Sequence, residues 1–411
     1  MTLSVVIVND SAHVNGGAAQ VALSSAVALA QRGHRTFLLA ATLPVDEALA
    51  AAGVEVVTTG QYAIADDPDR ARAVRQGLWN WQAARAIDDL LKRCDPASTV
   101  VHVHGFVMAL SSSVVRAAKA RGFKVVLTLH DYFIACPNGG FFNYPRQQIC
   151  HLKPLSPACV ATHCDSRSYP QKLWRVARQL VQRGPGRVPA DIDAFVTVSD
   201  FSRRVLASYL PSTARVFAID NPLDVPRQPA ARIHEGAPFA FVGRIASHKG
   251  VTLLAEAHRG LQAPLLYVGD GPQRQQVERI APDACITGWL GRAEVHERLR
   301  HARAVVLPSL WYETQGLVVA EAAAMGIPAI VADTCAARDM VSPGETGLWF
   351  SGGDVGALSR QMRVLQNIET ARQFGAAAYE TYWQSNLTMP RHVVGLETCY
   401  AALLAPAEEA V

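Results

Sequence analysis

Short apolar runs recur along the chain, each followed by a polar or glycine-bearing turn and then by a longer stretch with apolar positions three or four apart. The runs over 3–8, 36–40, 54–57, 100–103 and 124–129 are too short for helices and rich in valine, isoleucine and leucine, which predicts buried strands. Between them, 18–31, 71–93 and 114–121 predict helices. Strands over 195–198 and 215–219 close this first series. A second series follows, with strands at 239–242, 265–268, 304–307, 327–331 and 344–350, and helices at 251–259, 317–325, 357–366 and 371–383. A last helix runs to about 404, and the final residues 405–411 are expected to fray. Strand and helix alternate, and the strands carry no polar face. That predicts an α/β protein built on doubly wound parallel sheets.

The segment 220–238 is rich in proline, arginine and alanine and divides the two series. It predicts a first domain over 1–222, a second over 223–385, and a C-terminal helix with its tail over 386–411. A chain of 411 residues is long enough for two such cores.

Half of the residues are hydrophobic and 18% are charged, which excludes a disordered chain. The net charge of +4 is too small for a dedicated nucleic-acid binder, so no nucleic acid is expected as a partner. The first apolar run lacks the length and basic lead of a secretory leader, and no run approaches a membrane span. The expected location is the cytoplasm, where the eight cysteines would be reduced thiols or metal ligands.

Candidate chemistry gathers at predicted strand-to-helix corners, where open parallel sheets bind ligands. One corner follows the strand at 304–307. Its loop carries Glu313 and ends at Gly316, and its helix begins with Leu317 and carries Glu321. Free amides near Gly316 and Leu317 suit phosphate or sugar oxygens. Glu321 suits ligand hydroxyls. Two carboxylates beside a phosphate demand cations opposite them. The segment Gly243-Arg244-Ile245-Ala246-Ser247-His248-Lys249-Gly250 supplies Arg244 and Lys249 at another such corner. In the first domain Gly16 and Gly17 follow the first strand and let backbone approach a ligand closely. His104 and His130 end the strands at 100–103 and 124–129.

Glu313 and Glu321 stand at E-x7-E spacing, and Arg244 and Lys249 fall in a G-R-x4-K-G segment some seventy residues upstream. The run Leu129-His130-Asp131-Tyr132-Phe133-Ile134-Ala135-Cys136-Pro137 matches an H-D-x4-C-P pattern after a strand. With these motifs the chain resembles the retaining GT-B glycosyltransferases of family 4 along nearly its whole length. The resemblance implies a GT-B fold, two Rossmann-like domains facing a central cleft, with the last helix crossing back to the first domain. It implies transfer of a hexose from a nucleotide-sugar, a UDP- or GDP-sugar, to a glycan or lipid-linked acceptor, with retention and no cofactor for catalysis. Polysaccharide or glycoconjugate synthesis is the family's common setting. By the same resemblance, Arg244 and Lys249 hold the diphosphate, Glu321 the ribose and Glu313 the donor sugar. Gly16, Gly17, Gly288, Gly316 and Leu317 line the donor site, and His130 lies at the reaction centre. A GT-B sugar-nucleotide epimerase and a non-catalytic nucleotide-sugar-binding protein are the alternatives.

Two segments are less standard. Cys136, Cys150, Cys159 and Cys164 fall within the loop 131–165. Four thiolates could hold a structural zinc; free thiols or a redox disulfide are the other readings. Residues 166–190 carry six basic and no acidic residues, interleaved with apolar ones at roughly helical spacing. That pattern fits a helix lying on the inner face of an anionic membrane, or one packing its apolar side on the domain core.

Overall fold

In the computed structural model, residues 2–385 and 387–405 are described; the tail expected to fray falls largely outside them. The first sheet holds β1 (Ser4–Ser11), β2 (Arg35–Thr42), β3 (Glu55–Thr58), β4 (Thr99–Val103) and β5 (Lys124–Leu129). A short antiparallel hairpin, β6 (Phe142–Asn143) and β7 (Gln148–Ile149), stands apart, and β8 (Ala194–Thr197) and β9 (Arg215–Ala218) complete the sheet. Its order is β3-β2-β1-β4-β5-β8-β9, with parallel pairing throughout. The second sheet is built from β10 (Phe239–Val242), β11 (Leu265–Val268), β12 (Cys285–Ile286), β13 (Ala304–Leu307), β14 (Ala329–Ala332) and β15 (Gly347–Phe350). Its order is β12-β11-β10-β13-β14-β15, again all parallel. These are two Rossmann-like parallel-sheet layers.

The strands are apolar on both sides because both sides are covered. On β1, Val6 and Val8 enter one core while Val5 and Ile7 enter another across the sheet. The helix Met389–Leu404 covers part of that second face. It buries Leu396, Cys399 and Tyr400, and its Glu397 pairs with Arg32 at 2.7 Å and His34 at 2.9 Å.

Each sheet reverses strand order once, beside β1 and β4 in the first and beside β10 and β13 in the second. A crevice opens at such a switch point, outside the carboxyl ends of the strands. Those ends lead into Gly16-Gly17, His104, Arg244 and the Glu313 loop. Topology therefore places the candidate residues of each domain at the crevice of its own sheet.

Three expectations need correction. The stretch 71–93 is two helices, Arg70–Leu78 and Trp81–Leu91. Asn80 divides them: its side chain caps the second helix through Ala83 N–H, and its own N–H donates to Ser111 Oγ at 2.9 Å. The basic segment does form a helix, Tyr169–Arg183, but three of its four cations turn inward. Lys172 and Arg178 are buried, Arg175 pairs with buried Asp165 at 2.8 Å, and Arg178 donates to the carbonyl of Val107. Tyr169, Leu173 and Leu180 are the large apolar side chains left exposed. Finally, no group of three or more His, Cys, Asp or Glu side chains among the described residues is placed to hold a metal ion. Cys136, Cys150, Cys159 and Cys164 are free thiols, and the buried amino group of Lys172 lies 3.5 Å from Cys159 Sγ with Cys164 and Cys136 close by. An ammonium among these thiols would compete there with a divalent cation.

Candidate active site

The second domain supplies the charged side of the cleft. β10 ends at Gly243-Arg244, and a single turn, Ser247–Lys249, leads to Gly250 and the next helix. Arg244 is exposed and unpaired among the described residues. Lys249 Nζ lies 2.6 Å from Glu313 Oε1 and 5.3 Å from the centre of the Trp311 ring. Glu313 Oε1 also accepts the Ser309 hydroxyl at 2.7 Å. Burial alone would push the Glu313 carboxyl up. The charge and hydrogen bond of Lys249, with the Ser309 hydroxyl, outweigh it and hold the carboxyl below its ordinary value. Glu313 is therefore an ionised carboxylate at neutral pH.

Gly316 carries the chain from that loop into the helix Leu317–Ala324 with φ +84°, and a Cβ there would approach Ala337 Cβ at 2.9 Å. One helical turn on, Glu321 faces His296 Nε2 at 3.6 Å and Arg292 at 4.0 Å. Leu317 and Glu321 line a cleft of about 820 Å³, whose opposite wall includes Gly16 and Gly17 of the first domain. No Cβ clash would arise at either glycine, so both stand against open space. Gly288 bridges Gly269 beside this cleft, and Leu290, Arg292 and His296 line it.

The first domain supplies a histidine stack. The His104 and His130 rings are 5.2 Å apart and nearly parallel, with His104 Nδ1 3.0 Å from His130 Nε2. His102 stacks on His104 at 4.2 Å and is held by Tyr400 Oη at 2.6 Å and Thr128 Oγ1 at 2.7 Å. Burial, with His392 nearby, pushes the His130 imidazole down to about 3, so it is neutral. Beside it, the Asp10 carboxylate accepts the backbone N–H groups of Val107, Met108, Ala109 and Leu110 and so shapes the turn after β4.

The two domains meet at the Glu313 loop. Thr314 Oγ1 donates to the His130 carbonyl at 3.0 Å, and Ser199 Oγ donates to the Thr314 carbonyl at 2.6 Å. The cysteine-rich loop leans on the same segment. Tyr144 meets the His248 ring at 5.7 Å, Phe141 meets Tyr312 at 6.3 Å, and Gly140 lies against Trp311. His130 and Glu313 thus belong to one packed unit, while Arg244 and the Gly16–Glu321 cleft are left open to a ligand. The chemistry this permits is binding of a diphosphate by Arg244, Lys249 and the amides after Gly316. Hydroxyls would be met by Glu321, and a neutral histidine and an ionised glutamate remain at the reacting end.

Residues 15–227 match the family model described as Glycosyltransferase Family 4, and residues 237–367 match the one described as Glycosyl transferases group 1. The chain belongs to glycosyltransferase family 4. A sulfoquinovosyl transferase of Arabidopsis thaliana is 32% identical over 160 residues, 36% of this chain and 31% of that protein. A GDP-mannose-dependent alpha-mannosyltransferase of Corynebacterium glutamicum is 36% identical over 108 residues, 26% of each chain. A glycogen synthase of Mycobacterium tuberculosis is 27% identical over 273 residues, 62% of this chain and 63% of that one. The chain thus spans less than two thirds of the length of each of these three curated relatives. Among solved structures, sucrose-phosphate synthase from Thermosynechococcus elongatus superposes with a TM-score of 0.70 at 17% identity, covering 98% of this chain and 99% of that one. An Anabaena protein solved in complex with UDP-glucose superposes at 0.63 and 15% identity, covering 97% of this chain and 100% of that one. At these identities the superpositions show the GT-B fold.

Sequence reasoning named Gly16, Gly17, Leu317 and Glu321, and the structure brings them to one cleft; it pairs Lys249 with Glu313 and sets His130 beside that loop. It did not single out Asp10 or His296. Nothing local marks either: Asp10 works on amides about a hundred residues away, and His296 sits among charged helix residues.

Proposed function

We propose that this family 4 protein transfers a hexose from a nucleoside-diphosphate sugar to a glycan or lipid-linked acceptor, with retention of configuration. The observation that carries this reading is the Lys249–Glu313 pair at the switch point of the second sheet, facing His130 of the first domain. In this reading Arg244, Lys249 and the amides after Gly316 stabilise the departing diphosphate, the main electrostatic task of the reaction. No cofactor is assigned a role. Glu321 holds the ribose, and Glu313 and His130 contact the donor sugar. Because Glu313 is already paired to Lys249, the site is preorganised and donor binding need not recruit the lysine from solvent.

The testing experiment is a thermal-shift panel of UDP, GDP and ADP. A nucleotide at a hundredfold excess over its Kd stabilises the native state by about 2.7 kcal/mol. The expected result is a clear rise in Tm with one base. No rise with any of the three would overturn the donor site. Acceptor-dependent release of that nucleoside diphosphate then separates transfer from epimerisation and from binding alone.

A peripheral membrane contact is part of the same proposal, on a changed face. No described helix is long and apolar enough to cross a membrane. The helix Tyr169–Arg183 exposes Tyr169, Leu173 and Leu180, with exposed Arg167 and Arg183 at its two ends. Apolar side chains rimmed by arginine suit an anionic lipid surface. Co-sedimentation with phosphatidylglycerol vesicles is expected at low salt and should fall severalfold in Leu173→Ser/Leu180→Ser. Absence of binding by the wild-type protein would remove this part of the proposal.

A further inference from the structure

A second cavity, of about 400 Å³, opens between the two domains and shares no lining residue with the donor cleft. The first domain contributes Ser199 and Asp200 after β8 and Asp220 after β9. The second contributes Gln315, Asp339 and, from the helix Ile368–Ser385, Thr381.

Gln315 is the informative residue. It is 5% exposed, it lines this cavity, and its Oε1 has no hydrogen-bond partner among the described residues. An amide oxygen left unsatisfied in a protein interior costs about 1–3 kcal/mol, so such an atom calls for a donor from elsewhere. It also lies between Glu313 and Gly316, the two residues that shape the donor side of the same loop.

The charge balance narrows the ligand. No lysine or arginine lines the cavity, which disfavours phosphorylated or carboxylated molecules. Two of the three carboxylates are already satisfied. Asp200 Oδ1 accepts from Arg203 at 3.0 Å; Asp339 accepts from Arg204 at 3.1 Å and from the Phe201 N–H at 2.6 Å. Only Asp220 lacks a hydrogen-bonded partner for its carboxylate among the described residues, and burial pushes that carboxyl up. Little net negative charge is left to attract a polycation. What remains is a wall of hydroxyls, carboxylate oxygens and one orphan amide, floored by Ala320, Ala323 and Ala336. That combination accepts hydrogen bonds from many hydroxyls at once and packs against the C–H faces of a ring.

We propose that this hinge cavity binds a neutral polyhydroxylated molecule of mono- or disaccharide size, separate from the nucleotide-sugar. The volume is in the range of small-ligand sites. An occupant touching Ser199 and Asp220 on one side and Gln315 and Thr381 on the other ties the two domains together. Through Gln315 it steadies the loop that carries Glu313.

The test is saturation-transfer difference NMR with glucose, maltose, trehalose and myo-inositol as probes. The donor cleft is kept filled with the nucleoside diphosphate that raises Tm. At least one probe is expected to give a signal with the wild-type protein. Thr381→Trp, which fills the cavity from an exposed helix position, is expected to remove that signal and leave the nucleotide-induced Tm rise unchanged. Should Thr381→Trp fail to fold, Ser342→Trp fills the same cavity from the loop before β15. The proposal is overturned if no probe gives a signal, or if the signal persists undiminished in the filled variant. Spermidine binding in place of every sugar also overturns it. If no nucleotide raises Tm, the donor reading fails by itself, and the sugar signal is then read without nucleotide.

Discussion

Lys249→Ala is expected to lower kcat/KM at least tenfold, about 1.4 kcal/mol of transition-state stabilisation, and to destabilise the fold as well. The second effect follows from Glu313. Its side chain is 12% exposed and its carboxylate is held ionised chiefly by Lys249. Without the lysine, the neutral donors Trp311 and Ser309 are left to offset burial. Breaking one side of a buried pair costs about 3–5 kcal/mol, and the lower end fits a lysine that is 23% exposed. The double variant Lys249→Ala/Glu313→Gln removes the stranded charge. It should recover most of the stability and none of the activity. If the double variant were as unstable as the single one, the loss would not come from the pair. The pH dependence has a defined sign. A carboxyl whose folded value is depressed contributes stability above its unfolded value, about 4.3. That contribution is lost as the pH falls through the folded value. The wild-type protein should therefore lose stability below about pH 4 more steeply than Lys249→Ala does. Acid unfolding of the two proteins side by side, with initial-rate kinetics at pH 7, checks both effects.

Gly250→Ala is expected to destabilise the second domain by about 3 kcal/mol or more and to abolish the nucleotide-induced Tm rise. Gly250 has φ +68°, where an alanine costs about 1–2 kcal/mol. A Cβ at this position would also lie 1.9 Å from the carbonyl oxygen of Pro308, so the backbone itself must move. Overpacking of this kind adds about 1–3 kcal/mol. The neighbours make the effect functional: Lys249 precedes this glycine, and Pro308 opens the loop that carries Glu313. Gly33→Ala is the control. Its φ is +87° but nothing lies within 4 Å of the added atom, so it should show the conformational cost alone. Denaturant unfolding of both variants measures the difference. Equal losses would mean that the close approach to Pro308 is relieved without cost.

Much of the candidate site was legible because its corners are built locally. A strand end, a glycine and a charged residue within a few positions build each corner, and Arg244, Lys249, Gly16, Gly17, Glu313 and Glu321 all follow that rule. The helix Tyr169–Arg183 shows where local reading fails. Basic and apolar residues alternate there with one period, so the pattern defines two faces without saying which is buried. Three-dimensional partners decide: Asp165, the thiols near Lys172 and the carbonyls of Val107 and Pro137 reward cations on the inside, and leucines are left outside. The cysteine-rich loop is similar. Spacing could suggest zinc, but only the fold brings Lys172 among the thiols and presses Phe141 and Tyr144 against the second domain.

The parallel α/β architecture and the glycine-bearing corners after its strands were settled by residues close together in the chain, because strand burial, helix starts and glycine turns depend on neighbours a few positions away. The partners of those residues were settled only by tertiary structure. His104 on His130, Asp10 on the amides after β4, Lys249 on Glu313 and Thr314 on His130 join positions 26 to 184 residues apart. The first three form within one domain and the last between the two, and their energies come from burial and charge compensation that no single segment contains.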